Sequence, residues 1–307
     1  MKFILHSVSY SPTWRGQTAL PLDKVIEKAT QFGYDGIELI AKRPHASPLD
    51  LNPDARRRLR ETLQMKGLDM ACIAGYQDFS SGLEYPDMAH FEKELLYLRE
   101  TIRLAYDLGC KIVRIYSGFL RPQIPYEDQW NWCVQYIREG AKFAEDCGVY
   151  LALQNHSEIT VHHQDLLQMI QEIGSPAMKV ALDAPYIMKT GEPLEKAVVE
   201  VGPLMVYSTA SDQLQRKVAF HNAPSTFKMT GFYTLTKTIA VPAGDGVVDY
   251  RTFFKALKKI GYDSYMAYEI CAPIQGGGSE ANLDRCAQKS LAYLRKIYQE
   301  VYGEKGS

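Results

Sequence analysis

The stretch Cys147–His156, CGVYLALQNH, decides how this chain is read. A glycine is followed by a run of alternating aliphatic residues, and the run turns polar at Gln154, Asn155 and His156. Side chains two apart on a strand share a face, so Ala152, Gln154 and His156 lie together while Leu151 and Leu153 point the other way. With the leucines set against a helix layer, Gln154 and His156 point into an interior. The strand then delivers polar groups instead of fraying into a loop.

The same unit recurs along the chain: an amphipathic helix, a glycine, a short apolar run and a polar end. It reads FGYDGIELI, KGLDMACIAGYQD, LGCKIVRIYSG, CGVYLALQNH, IGSPAMKVALDAP, VGPLMVYSTASD and IGYDSYMAYEICAP. Its glycines, Gly33, Gly67, Gly109, Gly148, Gly174, Gly202 and Gly261, fall where a helix end needs a residue that tolerates positive φ. Their spacing is mostly about thirty to forty residues. With the opening strand KFILHS, the pattern gives eight strands alternating with helices, the signature of a parallel sheet with crossover helices. Eight such units predict an α/β fold, a single (β/α)8 TIM barrel. A doubly wound open sheet is the alternative, but no GxGxxG follows the first strand. No linker or low-complexity stretch divides the sequence, so residues 1–307 are expected to form one domain. The longest glycine spacing, after strand seven, predicts a loop insert at about 210–243, at the catalytic end of the barrel.

With 35 Lys and Arg against 36 Asp and Glu, the formal net charge of -1 gives no reason to expect nucleic acid or an anionic membrane as partner. A small neutral or weakly charged molecule fits better. The opening MKFILHSVSYSPTWRG has only Phe3–Leu5 as a continuous apolar run, too short for a signal peptide, and no apolar segment of about 18 residues follows. The expectation is a soluble, cytoplasmic protein. Six scattered cysteines, without a CxxC pair, read as buried free thiols.

The alternation test finds further inward polar residues at strand ends: His6 on strand one, Glu38 on strand two, Arg114 and Tyr116 on strand four, Asp183 on strand six and Glu269 on strand eight. A buried, isolated carboxylate is costly unless it is paired or metal-bound. Asp183 and Glu269, with the amide oxygen of Gln154, are therefore candidates to converge on one divalent cation. His162 and His163 open the helix HHQDLLQMIQEIG and are expected at the surface, as is His90. Trp14, Tyr76 and Phe119 are placed to stack on a sugar ring or to pack the rim. Lys42, Arg43 and His45, after strand two, either bind a substrate carboxylate or phosphate or sit in a solvated loop. The tyrosines of LAYLRKIYQEVY read as packing residues.

Taken together, FGYDGIEL, LALQNH, LDAP and PAGDGVVDYRTFFKALKKIGYDSYMAYE resemble the sugar isomerase/epimerase-like barrels related to xylose isomerase, which are grouped with the endonuclease IV-like metal barrels. The likeness runs over nearly the whole chain. It implies one divalent metal, most often Mn2+ with Mg2+, Zn2+ or Co2+ as alternatives, held by Glu, Asp, His and Glu at the ends of strands five to eight. Asp183 and Glu269 match the second and fourth ligands. Gln154 stands where the first Glu is usual, and VYSTASD supplies no His on strand seven. Gln offers an amide oxygen but no charge, and it cannot serve as a general base. His156, on the face of Gln154, is the replacement base, working with Glu269. His221, in the insert, is a replacement ligand or a substrate contact. His6, Glu38, Arg114, Tyr116 and Tyr186 are placed to bind substrate hydroxyls or an oxyanion.

The resemblance implies an enzyme that removes the proton α to the carbonyl of a sugar or keto-sugar, of isomerase or epimerase type. Its alternative is a lyase that cleaves a 3-oxo-glycoside, C- or O-linked, by β-elimination. A metal-free sugar-binding or structural subunit is the reading from another class. A DNA-repair endonuclease needs a multi-zinc cluster with more histidines than this chain places at strand ends. A homo-oligomer, or a hetero-complex with a small partner subunit, is the expected assembly.

Overall fold

In the computed structural model, which describes residues 1–85, 87–156, 159–221 and 232–303, the glycine-punctuated runs become strands β1 (Lys2–His6), β2 (Gly36–Ile40), β3 (Asp69–Ala74), β4 (Ile112–Ile115), β5 (Tyr150–Gln154), β6 (Met178–Asp183) and β7 (Met205–Ala210). After β7 come β8 (Asp212–His221) and β9 (Phe232–Val241), and β10 (Tyr265–Tyr268) ends the barrel. The closed order is β1-β10-β7-β6-β5-β4-β3-β2, every neighbour parallel, so the (β/α)8 barrel read from the pattern is the fold. Around it run α1 (Leu22–Phe32), α2 (Pro53–Met65), α3 (His90–Leu108), α4 (Tyr126–Cys147), α5 (His163–Ile173), α6 (Ala184–Lys189), α7 (Leu194–Val201), α8 (Tyr250–Lys259) and α9 (Glu280–Gly303). All seven glycines of the repeat have positive φ. At Gly148, φ is 61° and the N–H bonds back to the carbonyls of Ala144 and Glu145, which ends α4 and aims the chain into β5.

Two apolar layers follow from the alternation of strand side chains. Leu151, Leu153, Val180 and Leu182 face outward and join the large core beneath the helices. Ile4, Cys72, Ile112, Ala152, Ala181, Tyr207 and Ala267 face inward and fill the barrel's lower interior. Two residues further along their strands, Ile4, Ile112, Ala152, Ala181, Tyr207 and Ala267 give way to His6, Arg114, Gln154, Asp183, Thr209 and Glu269. The barrel is apolar below and polar at the carboxyl ends of its strands, the end where barrels of this type carry their chemistry. Alanine on β5, β6 and β10 leaves room for the large side chains of Arg114 and Tyr207.

The insert after β7 is not the open loop expected from the sequence. Asp212 to His221 pairs antiparallel with Phe232 to Val241 through ten register partners, so the segment is a β-ribbon. Its first residue ties it to the barrel. The Asp212 carboxylate accepts from the backbone N–H groups of Gln213 (2.9 Å), Gly244 (2.9 Å), Gly246 (3.0 Å) and Val248 (3.1 Å). Four backbone donors, those of Gln213 and Val248 buried, converge on one side chain, and any Cβ on Gly246 would lie 2.0 Å from its Oδ1. The PAGDGVVDY segment is thereby locked under the ribbon.

All six cysteines are free; Cys72, Cys110, Cys133 and Cys286 are buried as expected, whereas Cys147 and Cys271 are partly exposed. Among the described residues no helix is long and apolar enough to cross a membrane. Tyr298 packs edge-on against Phe3 and Phe254, which bears out the packing role of the last helix's tyrosines.

Asp212→Ala strands four backbone donors that no nearby group replaces, and it is expected to destabilise the fold by about 2–4 kcal/mol in urea unfolding. Gly246→Ala should cost a comparable amount by displacing the same carboxylate; wild-type stability in both variants would show that the ribbon is anchored elsewhere.

Candidate active site

At the polar end of the barrel the organising group is Arg114, whose guanidinium is buried. Its Nε donates to Glu38 Oε1 at 2.8 Å, Nη1 donates to the Tyr116 hydroxyl at 2.7 Å and to Gln154 Oε1, and Nη2 lies 3.1 Å from His6 Nε2. Tyr207 donates its hydroxyl to the second oxygen of Glu38 at 2.7 Å. Burial alone would raise the Glu38 carboxyl, but His6, the Arg114 guanidinium and the Tyr207 hydroxyl outweigh it and hold it below its ordinary value. Burial, with Arg114 adding to it, pushes His6 down to about 3, so its imidazole is neutral.

The other two carboxyls have no such partner. Asp183 is buried, and neither of its oxygens makes a hydrogen bond of accepted geometry among the described residues, although the nearby Thr209 hydroxyl still favours its ionised form. Burial pushes Asp183 up to about 6 against the pull of His156, Lys189 and Arg114. Burial likewise pushes Glu269 up to about 8, with the negative charges of Asp183 and Glu38 adding to it and Arg114 opposing. Glu269 lies 3.6 Å from His6 Nε2. Both carboxyls are thus raised above their usual range, Glu269 further than Asp183.

Above these acids runs a wall of rings. Tyr76 meets Tyr116 edge-on at 5.9 Å, Tyr116 faces His156 at 4.6 Å, and His156 faces Tyr186 at 4.4 Å. His156 Nε2 is 2.9 Å from the Tyr186 hydroxyl. The structure thus brings His6, Glu38, Arg114, Tyr116, Gln154, His156, Asp183, Tyr186 and Glu269 to one mouth.

Three other readings turn out differently. His163, expected at the surface, is buried with one ring nitrogen against Glu192 and the other 2.6 Å from Glu200, because the turn before α7 and α7 itself each supply an acid that the local pattern does not reveal. Of the three residues after β2, Arg43 turns outward to a two-pronged pair with Asp50 and His45 turns inward to the Leu20 carbonyl, so only Lys42 reaches the mouth. Trp14 donates to the Ile270 carbonyl, a packing role, and Phe119 stays exposed.

The metal site implied by the resemblance is not reproduced. Gln154 Oε1 accepts from Arg114, and its amide nitrogen donates to Thr209, 3.2 Å away. Thr209, level with Asp183 in the register, offers a hydroxyl where an imidazole is expected. The backbone of His221 lies at the far end of β8, beyond the exposed residues Gln215 to Lys217, and its side chain lies outside the described residues. Among the described residues no group of three His, Cys, Asp or Glu is arranged to hold a metal ion. Two carboxylates facing a resident guanidinium are a poor donor set for a hard divalent cation. The buried Asp183 carboxylate instead has the Thr209 hydroxyl beside it.

A model of the xylose isomerase-like TIM barrel family matches residues 26–297. The chain belongs to this family. Fructoselysine 3-epimerase of Escherichia coli O157:H7 is 25% identical to this xylose isomerase-like barrel over 272 residues, 83% of this chain and 87% of that protein. Among solved structures, L-ribulose 3-epimerase superposes with a TM-score of 0.75 at 18% identity, covering 99% of this chain and 96% of that one. D-psicose 3-epimerase of Clostridium cellulolyticum H10, solved with D-tagatose, gives 0.74 at 19% identity over 97% and 99% of the two chains. At that identity the superpositions establish the shared fold.

In the unfolded chain Glu269 ionises at about 4.3, whereas in the fold it keeps its proton to higher pH, so the folded state binds more protons and loses stability as pH rises through this window. Between about pH 5 and 8, Glu269→Gln should flatten that decline by on the order of 2 kcal/mol in urea unfolding. An unchanged slope would mean that the fold accepts the Glu269 charge without cost.

Proposed function

We propose that the chain enolises a sugar or keto-sugar: it takes the proton from the carbon next to the carbonyl and returns it as an isomerase or epimerase does. The observation that carries this reading is the pair Asp183 and Glu269, two buried carboxyls raised from their usual range and facing one guanidinium. They come from β6 and β10, with β7 between them, so they approach a bound sugar from different sides. The relatives, themselves 3-epimerases by name, support the same class of chemistry.

The ionised carboxyl of the pair takes the proton, the C–H electrons move into the carbon–carbon bond, and the carbonyl oxygen gains negative charge. The Arg114 guanidinium stabilises that charge from a fixed, desolvated position. The protonated carboxyl then returns a proton to the opposite face of the same carbon, which inverts it, or to the former carbonyl carbon while the neighbouring hydroxyl passes its proton to the former carbonyl oxygen, which exchanges aldose and ketose. Raised and separated pKa values let one acid and one base coexist near neutral pH. The rings of Tyr76 and Tyr116 offer the sugar a stacking face, and Asp183 accepts from its hydroxyls. Manganese, or another divalent ion, finds no full ligand set among the described residues, so the cation's part is assigned to Arg114.

A second reading rests on the His156–Tyr186 pair at the rim. If the sugar carries a leaving group β to the carbonyl, the same enolate expels it, and His156 is placed to protonate it as it departs. That is the elimination of a 3-oxo-glycoside.

D-fructose or L-ribulose incubated with the protein in D2O should gain deuterium at C3 and yield the C3 epimer. Asp183→Asn and Glu269→Gln should each slow exchange by about 100- to 10,000-fold. Exchange should survive dialysis against EDTA; recovery only on adding Mn2+ would take the charge-stabilising role from Arg114 and give it to a metal.

A further inference from the structure

One group at the mouth is left over by this chemistry. Lys42 holds its ammonium 3.7 Å from the centre of the Tyr76 ring, half-buried, and among the described residues no carboxylate lies within salt-bridge distance of it. Its neighbours make this more conspicuous. The Arg114 guanidinium lies 6.0 Å from the centre of the same ring, so two cations neighbour one aromatic side chain. Two acids of this side are already engaged, Glu38 by Arg114 and Tyr207, and Asp50 by Arg43. Burial, with Arg114 adding to it, lowers the Lys42 pKa, as expected for an ammonium whose counterion is missing.

A half-desolvated cation beside a second cation is unfavourable by itself, and the π face of Tyr76 offsets only part of that. An anion arriving with the ligand would relieve it. We propose that Lys42 receives an anionic group of the substrate, a phosphate ester or a carboxylate, and that this barrel therefore prefers charged sugars to neutral ones. The sugar ring lies along Tyr76 and Tyr116, its reacting carbons lie over Asp183 and Glu269, and its charged end is at Lys42. The assignment rests on the enolisation reading for where the sugar sits, but it concerns binding and is tested by binding. It also departs from the neutral or weakly charged ligand that overall net charge suggested, because net charge averages over a surface while Lys42 is a local, uncompensated site.

The test is a comparison of dissociation constants, followed by tyrosine fluorescence, for D-fructose, D-fructose 6-phosphate and D-tagaturonate. The wild-type protein is expected to bind at least one of the two anionic sugars ten or more times more tightly than D-fructose, and the stronger of the two tells phosphate from carboxylate. Lys42→Met and Lys42→Gln should each remove at least tenfold of that preference, and Lys42→Arg should keep it. Equal binding of all three sugars by the wild type, or a preference that survives in a folded Lys42→Met or Lys42→Gln protein, overturns the proposal. Tight, Lys42-dependent binding of an anionic sugar without deuterium uptake in D2O would uphold this inference while refuting the enolisation reading.

Discussion

The structure depends on one buried charge. A guanidinium taken out of water into the middle of a barrel costs several kcal/mol unless its donors are met, and Arg114 meets that demand with Glu38, Gln154, Tyr116 and His6, drawn from four strands. Satisfying Arg114 fixes the rotamers of the whole polar layer. It also accounts for the residues below, since alanines at 152, 181 and 267 give the space that arginine and Tyr207 occupy. Removing any one partner would leave a buried charge or dipole uncompensated, so the layer stands as a unit.

Compensation is uneven across the mouth, and the unevenness is informative. In the layer around Arg114, on the β1, β2 and β4 side, the charges are answered: Glu38 is held by Arg114 and Tyr207, and His6 is neutral, while Lys42 at Tyr76 has no carboxylate partner among the described residues. On the β6 and β10 side, among the described residues, only the Thr209 hydroxyl is beside Asp183, and burial raises Glu269 well above its ordinary range. A fold can carry such groups only if stability elsewhere supports them, and strain of this kind concentrates at functional sites. The side around Arg114 is a closed network of hydrogen bonds, and the other side carries the two carboxyls on which the proposed proton transfer rests.

The surroundings hold this arrangement still. His163 joins α5 to α7 through Glu192 and Glu200, buttressing the β6 side from which Asp183 and Tyr186 project. Asp212 gathers four backbone donors at the root of the ribbon, next to the barrel's seventh strand. Neither contact touches the mouth, yet each limits how far a strand end bearing a carboxyl can drift. Preorganised groups act on a substrate without the cost of reorienting.

The sequence by itself determined the architecture and the membership of the polar layer. Period-two alternation and glycines at positive φ are local properties, written into consecutive residues, and they place strands, faces and the catalytic end without tertiary information. They also pick out His6, Glu38, Arg114, Gln154, His156, Asp183 and Glu269 as inward residues at one end. Only the tertiary structure decided what those residues do to one another. The Arg114–Gln154 contact spans 40 residues and the Tyr207–Glu38 contact 169, and both exist because the closed barrel staggers its strands and sets one side chain beside another. That stagger turns Gln154 from a prospective metal ligand into an acceptor for Arg114. Likewise, acids distant in sequence enclose His163, and the Tyr76 ring brings Lys42 beside Arg114 from another strand. Local pattern says which way a side chain points, but its charge state and its partner depend on long-range neighbours that only chain closure brings within reach.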